Sequence, residues 1–439
     1  MNITVKLKLC QQIVIGEFQG KYTNVVRYAF NRAMDGKTKF EIFSLVKTLN
    51  NVDILDLSWK REAVKIGYTI AKSALARYNE THNKKDLKVI FGGKKLFYKR
   101  SNGKITREEY KCRYKLQPIT CEGSKADHLG NRKFNFDFNT FDGKVRLGDK
   151  VVPFSCHKTS KKNMVLLSRL QELVLKKECG FTCKLTNEYF YIVFNLDKIP
   201  KDITYKKQDN VTLAIDMNPN YIGISITDKN NDILHKRCYD LSKLTTNNKR
   251  KYELTQIVVE IKKLCIKYNV CYVGFEKLAM QPSDKKKGRR FNKQVNNEWC
   301  RLYFVNSLKK HLTLIGCKYQ ELAAQYSSFI GQLTNPNDTD SIAASIELNR
   351  RLKEYKKQYI DRIEPHGPIV YPKFSLNYLN RWKKEEIREE KIKDWRTAYN
   401  YVKEFGHSYR FLYVDYVKRK KCRVFRLKSK NSLVTYITE

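Results

Sequence analysis

The chain has 439 residues, 41% of them hydrophobic, enough to bury a sizeable core in each of about two to four domains and too many for a wholly disordered polypeptide. Its 87 Lys and Arg against 45 Asp and Glu give a net charge of +42, which self-repels unless a polyanion such as a phosphate backbone neutralises it. No apolar run approaches the roughly 20 residues of a spanning helix, and the alternating start Met1-Asn2-Ile3-Thr4-Val5-Lys6-Leu7-Lys8-Leu9 reads as a strand, so a soluble, cytoplasmic protein without a membrane partner is expected.

A helix follows the first strand. Within 58–78, Ala63, Ile66, Ile70, Ala74 and Tyr78 recur at helical steps, with Lys60, Lys65, Lys72 and Arg77 between them on a basic face that suits either solvent or a nucleic-acid backbone. From 87 to 196 the texture turns to short β-like runs at 90–98, 130–138 and 189–194. Gly92-Gly93 beside Lys94 and Lys95 admits a close approach of phosphate to backbone, and equally a plain hairpin turn. Arg132 and Lys133, at the head of the second run, are the other candidate phosphate contacts of this block. The chain's 28 Tyr and 22 Phe offer rings for unpaired bases, although most such rings in any protein are core.

The polar stretch 199–210, which carries Pro200, marks the main domain boundary. Beyond it come a strand ending at Asp216, a tight turn Asn218-Pro219-Asn220, a strand from Tyr221 to Thr227, and a helix with the stripe Leu254, Ile257, Val258, Ile261, Leu264, Cys265 and Tyr268. A strand ending at Glu276, a basic loop, a helix through Trp299, Leu302, Val305, Leu308 and Leu312, a strand near 318–323 and a helix from Asp340 complete an α/β, RNase H-like order. Carboxylates at neighbouring strand tips and at a helix start can converge on divalent cations. Two such ions about 4 Å apart activate water and stabilise the leaving oxygen in phosphodiester hydrolysis, and their hard character selects oxygen ligands. Asp216 is then the bridging ligand, with Glu276 and Asp340 each holding one ion. Taken singly, each acid has a plain alternative: turn initiator, solvated strand end and helix-start acid, respectively. Asp338, Asp228 and Glu347 are rivals of lower rank. The seven His form no pair at metal spacing, and the twelve Cys include no C-x-x-C cluster, so reduced, mostly buried thiols and no structural zinc are expected.

Ile215-Asp216-Met217-Asn218 followed by Ile222-Gly223-Ile224-Ser225, Val273-Gly274-Phe275-Glu276-Lys277-Leu278, and Asp340-Ser341-Ile342-Ala343-Ala344 resemble, in order and spacing, the three RuvC motifs of transposon-encoded TnpB nucleases and their descendants, the compact type V CRISPR effectors. The resemblance implies a RuvC nuclease domain over 206–439 and an amino-terminal β-barrel wedge domain (1–17 and 87–205) with a helical recognition insertion at 18–86. It implies catalysis by Asp216, Glu276 and Asp340 with two magnesium ions, for which manganese can substitute. It further implies a guide RNA and double-stranded target DNA as partners, in a prokaryotic cell at the nucleoid. The basic segment 279–296, with Lys285, Lys286, Lys287, Arg289 and Arg290, stands where the family has a mobile piece over the active site, placed to guide a strand, and equally suits a disordered solvated loop. Two departures are visible. Gln325-Tyr326-Ser327-Ser328-Phe329-Ile330-Gly331 has no cysteine where the family begins a four-cysteine zinc module, so that module is expected to be lost near 325–337. Ile342 stands where the third motif usually has Asn. Derivatives of the family that lost their carboxylates act as guided repressors, and an unguided RuvC-like nuclease or transposase is the remaining alternative.

Overall fold

The computed structural model describes residues 1–439 except 83, 202–204, 245, 278–298, 359–370, 381–391 and 405–439. Two compact units emerge, Met1–Pro200 and Lys201–Glu439.

In the first unit, β1 (Asn2–Lys8) buries every second residue and pairs antiparallel with β7 (Tyr189–Asn195). With β6 (Thr182–Leu185) and β2 (Ile119–Cys121) they form a four-stranded sheet in the order β1-β7-β6-β2. A second sheet joins β3 (Phe134–Phe136), β4 (Asp142–Leu147) and β5 (Lys150–Ser155). The closed barrel expected from the resemblance is not found: among the described residues the sheets remain separate, linked by an isolated Leu9–Cys156 bridge. α1 (Gly16–Met34), α2 (Lys39–Lys47) and α3 (Leu57–Thr81) follow β1. α3 starts where Asp56 accepts a hydrogen bond from the Trp59 N–H at 2.9 Å. Its buried ridge runs through Trp59, Ala63, Gly67, Ala71 and Ala74, whereas Ile66, Ile70 and Tyr78 of the expected stripe are half-buried and Lys60 of the expected basic face is buried. The reason is close packing: a Cβ on Gly67 would lie 2.3 Å from the Val26 carbonyl oxygen, so beyond Trp59, which packs on Phe18 and Tyr22 of α1, the helices meet through small residues.

The run 90–98, β-like in sequence, is instead mostly the helix α4 (Lys94–Ser101). Gly92 and Gly93 at φ 80° and 111° turn the chain out of extension, and helical backbone starts directly after them. Two further helices interrupt the expected β block, α5 (Arg107–Arg113) and α6 (Lys161–Leu175).

The second unit is built on one five-stranded sheet in the order β10-β9-β8-β11-β12. Its strands are β8 (Gln208–Met217), β9 (Tyr221–Thr227), β10 (Ile233–Asp240), β11 (Val270–Lys277) and β12 (Lys318–Ala323). β8 pairs antiparallel with β9 and parallel with β11, and β11 pairs parallel with β12. Three antiparallel strands extended by two parallel crossovers make the RNase H-like arrangement that the sequence order suggests. Covered on both faces, β8 is buried without a break from Val211 to Met217, and Thr212 is the single polar residue before Asp216. On one face, Leu213, Ile215, Val273 and Phe275 pack with the stripes of α7 (Asn247–Lys267) and α8 (Arg301–Leu314). Leu302, expected on the buried stripe of α8, is 72% exposed, and Phe304 fills the core beside Val305 instead. On the other face, Ala214 and Leu322 pack against Leu348 and Leu352 of α10 (Asp340–Gln358). α9 (Ser327–Thr334) packs on α10, and α11 (Asn377–Asn380) and α12 (Trp395–Glu404) complete the described elements. Among the described residues, no helix is long and apolar enough to cross a membrane, and eight of the free cysteines are buried.

Candidate active site

Side chains alternate along a strand, so Asp216 shares a face with Ala214, and Glu276 with Gly274. That is the face covered by α10. Parallel pairing matches Gly274 with Ala214 and Phe275 with Ile215, so one step on, at the carboxyl ends of both strands, Asp216 and Glu276 come side by side. Ligand sites of α/β sheets lie at such strand ends.

Both acids are buried, at 1% and 5% exposure. The Asp216 carboxyl is held well above the usual carboxylate range, first by burial, then by the charges of Glu276 and Asp340 and by a hydrogen bond to Glu276. Glu276 is also raised by burial, while hydrogen bonds from Ser327 and Asp216 and the charges of Arg351 and Arg301 pull it back down. Burial thus raises both acids together, and the charge of one raises the other, so the pair resists carrying two negative charges.

The partners are specific. Asn218 Nδ2 donates to Asp216 Oδ2 at 2.6 Å and to Ser341 Oγ at 3.2 Å, tying the strand end to the first turn of α10. Ser327 Oγ, at the head of α9, donates to Glu276 Oε1 at 2.9 Å. It is presented there by Tyr326, which takes the left-handed conformation at φ 61°. Arg301, the first residue of α8, donates to the Glu276 backbone carbonyl at 3.3 Å. Asp340 is half-buried, and its Oδ1 accepts from Gln332 Nε2 at 3.0 Å. A cleft of about 340 Å³ opens on Asp216 and Glu276 and is walled by Asn218, Ser327, Tyr326 and Tyr399 among others.

Asp340 acts on Asp216 through its charge, yet among the described residues no three His, Cys, Asp or Glu side chains form a group that could hold a metal ion. The donor set nevertheless suits a hard cation. It consists of carboxylate oxygens, two of them buried together against mutual repulsion and, among the described residues, in no ion pair. A cation between the two would remove that repulsion.

The rival acids stand elsewhere. Asp338 pairs with Lys236 at 2.7 Å, Glu347 with Arg350 and Arg351 at 2.7 and 2.8 Å, and Asp228 accepts from the backbone N–H groups of Asn230 and Asp232 in a turn. Lys94 and Lys95 are exposed on the first turn of α4. Arg132 is paired with buried Glu62, and Lys133, with only 10% of its side chain exposed, bonds Asp56 at 2.6 Å. Lys133 thus braces the start of α3, while Arg132, 38% of whose side chain stays exposed, ties Glu62 of α3 from the surface. Lys285, Lys286, Lys287, Arg289 and Arg290 lie outside the described residues. Ile342 is buried in the core, and α9 lies within 325–337, where the family's zinc module is expected to be lost. Sequence reasoning missed Ser327, Gln332 and Arg301. Their only local signal is that each sits in or beside the first turns of a helix near a strand end.

No family model and no curated protein matches the chain. Among solved structures it is similar to Thermus thermophilus RuvC in complex with Holliday junction substrate, at 9% identity and a TM-score of 0.27, over 34% of this chain and 96% of that one. It is also similar to a Cas12f1–sgRNA–target DNA complex, at 11% identity and a TM-score of 0.36, over 80% of this chain and 98% of that one. A CRISPR-Cas12f ternary complex gives 11% identity and a TM-score of 0.24, over 79% and 98%. Likenesses this loose add no weight to the strand order and register described above.

Proposed function

We propose that this chain is an RNA-guided DNA endonuclease that cleaves with one RuvC-type site. One observation carries the reading: Asp216 and Glu276, on adjacent parallel strands, are buried together at the strand ends and face a cleft. Two carboxylates buried side by side, in no ion pair among the described residues of a chain of net charge +42, mark a place for a cation. The three RuvC-like motifs and the RNase H-like sheet support the same conclusion.

Asp216, Glu276 and Asp340 would hold two magnesium ions, or manganese in their place, which supply an activated water and stabilise the leaving oxygen. The chain's own residues prepare that site. Asn218 fixes the Asp216 carboxylate against Ser341, Ser327 orients Glu276, and Gln332 keeps Asp340 beside the pair. The cleft opens on the strand ends, where a scissile phosphate would enter. Sequence choice would fall to base pairing with a bound guide, and the protein's dispersed positive charge would hold backbones. A double-stranded target beside a short recognition motif is the substrate this reading implies.

The test is cleavage of plasmid DNA by the purified complex with magnesium, compared with Asp216→Ala and Glu276→Ala. Both variants should lose cutting to background and keep DNA affinity, because the acids repel phosphates. Substantial residual cutting by either refutes the ligand assignment. An inert complex points to a guided repressor, and cutting without any co-purifying RNA of defined sequence points to an unguided nuclease.

A further inference from the structure

The outer face of the four-stranded sheet in the first unit carries a feature that the cleavage site does not use. Register sets Lys6 opposite Tyr191 and Lys8 opposite Tyr189 across β1 and β7, and Lys184 opposite Tyr191 across β6 and β7. Their sequence neighbours Leu7, Phe190, Ile192, Cys183 and Leu185 are all buried. Alternation therefore turns the three lysines and two tyrosines to the opposite side. There Lys6 and Lys8 are exposed, and Lys184, Tyr189 and Tyr191 are half-buried. The tyrosine rings stand 6.3 Å apart at 49°, and Lys6 Nζ lies 3.5 Å from the Tyr189 centroid and 5.9 Å from that of Tyr191.

β1, β6 and β7 contain no Asp or Glu at all. Of the acids flanking β7, Asp197 is paired with the amino terminus and Glu188 sits in the turn before the strand. The face is thus uniformly cationic around two adjacent rings. An acidic protein surface would satisfy the lysines but leave the rings idle. A duplex would satisfy the lysines but hide its base faces. An unpaired strand uses both, with bases on tyrosine and phosphates on lysine. The ammonium–ring contact of Lys6 is weaker than base stacking, so an arriving base displaces Lys6 and leaves its charge for a phosphate.

We infer that this Lys6–Lys8–Lys184–Tyr189–Tyr191 face binds an unpaired stretch of RNA. That the strand is RNA rests on the guide-RNA reading above; that it is single-stranded rests on the rings themselves.

The test measures binding of fluorescein-labelled oligouridylate to the full chain at raised salt, where contacts by charge alone are weakened, beside a duplex DNA of equal length. Tyr189→Ala with Tyr191→Ala should weaken oligouridylate about 10-fold or more, leave the duplex unchanged, and be matched by wild-type affinity in the double Phe variant. Equal losses on both ligands, no loss, or a loss as large in the Phe variant overturns the inference. If the Ala variant melts early, Lys6→Gln with Lys184→Gln decides instead: the salt slope for the single strand should fall by roughly 0.7 per lysine, and an unchanged slope overturns the inference. The two readings fail separately. A chain that loses oligouridylate with its tyrosines yet never cuts DNA keeps this face and loses the nuclease, and a chain that cuts DNA while its Tyr variants bind normally does the reverse.

Discussion

Asp216 and Glu276 make the site sensitive to pH in a way that surface acids are not. The folded Asp216 carboxyl holds its proton far above the value of about 3.9 it has in an unfolded chain. Between those two values the folded state binds more protons, so stability falls as pH rises until the folded group itself ionises. Without added metal, the melting temperature of the wild type should drop between mildly acidic and neutral pH. Asp216→Asn should flatten that drop and raise the neutral melting temperature while abolishing cleavage; a variant with the wild-type pH profile would mean the proton is held elsewhere. On the proposed function, added magnesium should reverse the trend, because a cation competing with protons for these carboxylates is bound more tightly as pH rises. Ser327→Ala removes the hydroxyl that donates to Glu276 at 2.9 Å. It should slow cleavage about 10-fold with little change in DNA affinity, the loss expected for a hydrogen bond to a charged group.

The helix that carries Asp340 is positioned by what its neighbours lack. A Cβ on Gly223 of β9 would lie 2.1 Å from the Ser341 carbonyl oxygen, and one on Gly331 of α9 would lie 2.3 Å from that of Ala343. Glycine at both places lets backbone meet backbone, so the first turn of α10 sits between sheet and helix. Buried Asn349 then locks the same helix by donating to the Ser225 carbonyl at 2.8 Å. Gly223→Ala should destabilise the protein by about 1–3 kcal/mol through overpacking and should impair cleavage more than a surface change of equal cost. Gly20, inside α1, is the contrast, because a Cβ there would meet nothing within 4 Å. Gly20→Ala should stabilise by about 0.4–1 kcal/mol, read from the denaturation midpoint. Two helices of the first unit are legible in local signals: α5, whose Thr106 and Glu109 form a capping box, and α6, where Leu166, Leu170 and Leu173 repeat at helical spacing. The β texture around them, set by isolated aromatic pairs, outweighs those signals in a linear reading. At α3 the misjudged face has a different cause, since hydropathy favours Ile66 and Ile70 while packing against α1 needs Gly67 and Ala71.

A chain with 87 cations and 45 anions binds polyanions largely through released counterions, so affinity for RNA and for duplex DNA should fall steeply as salt rises; a flat response would assign the charge another purpose. That expectation needs no coordinates, because net charge is a sum over residues. The same holds for the α/β order of the second unit and for Asp216, Glu276 and Asp340, where apolar runs end on an acid or a helix begins with one. Local periodicity and composition fix such features within a few residues of chain. What required the folded molecule was everything set by approach between distant segments. Examples are the two acids buried side by side across β8 and β11, Ser327 and Gln332 meeting their acids, Lys133 turned inward to Asp56, and, among the described residues, two separate sheets in place of a barrel. Burial and pairing depend on which surfaces touch, and a linear pattern records only what each surface is made of.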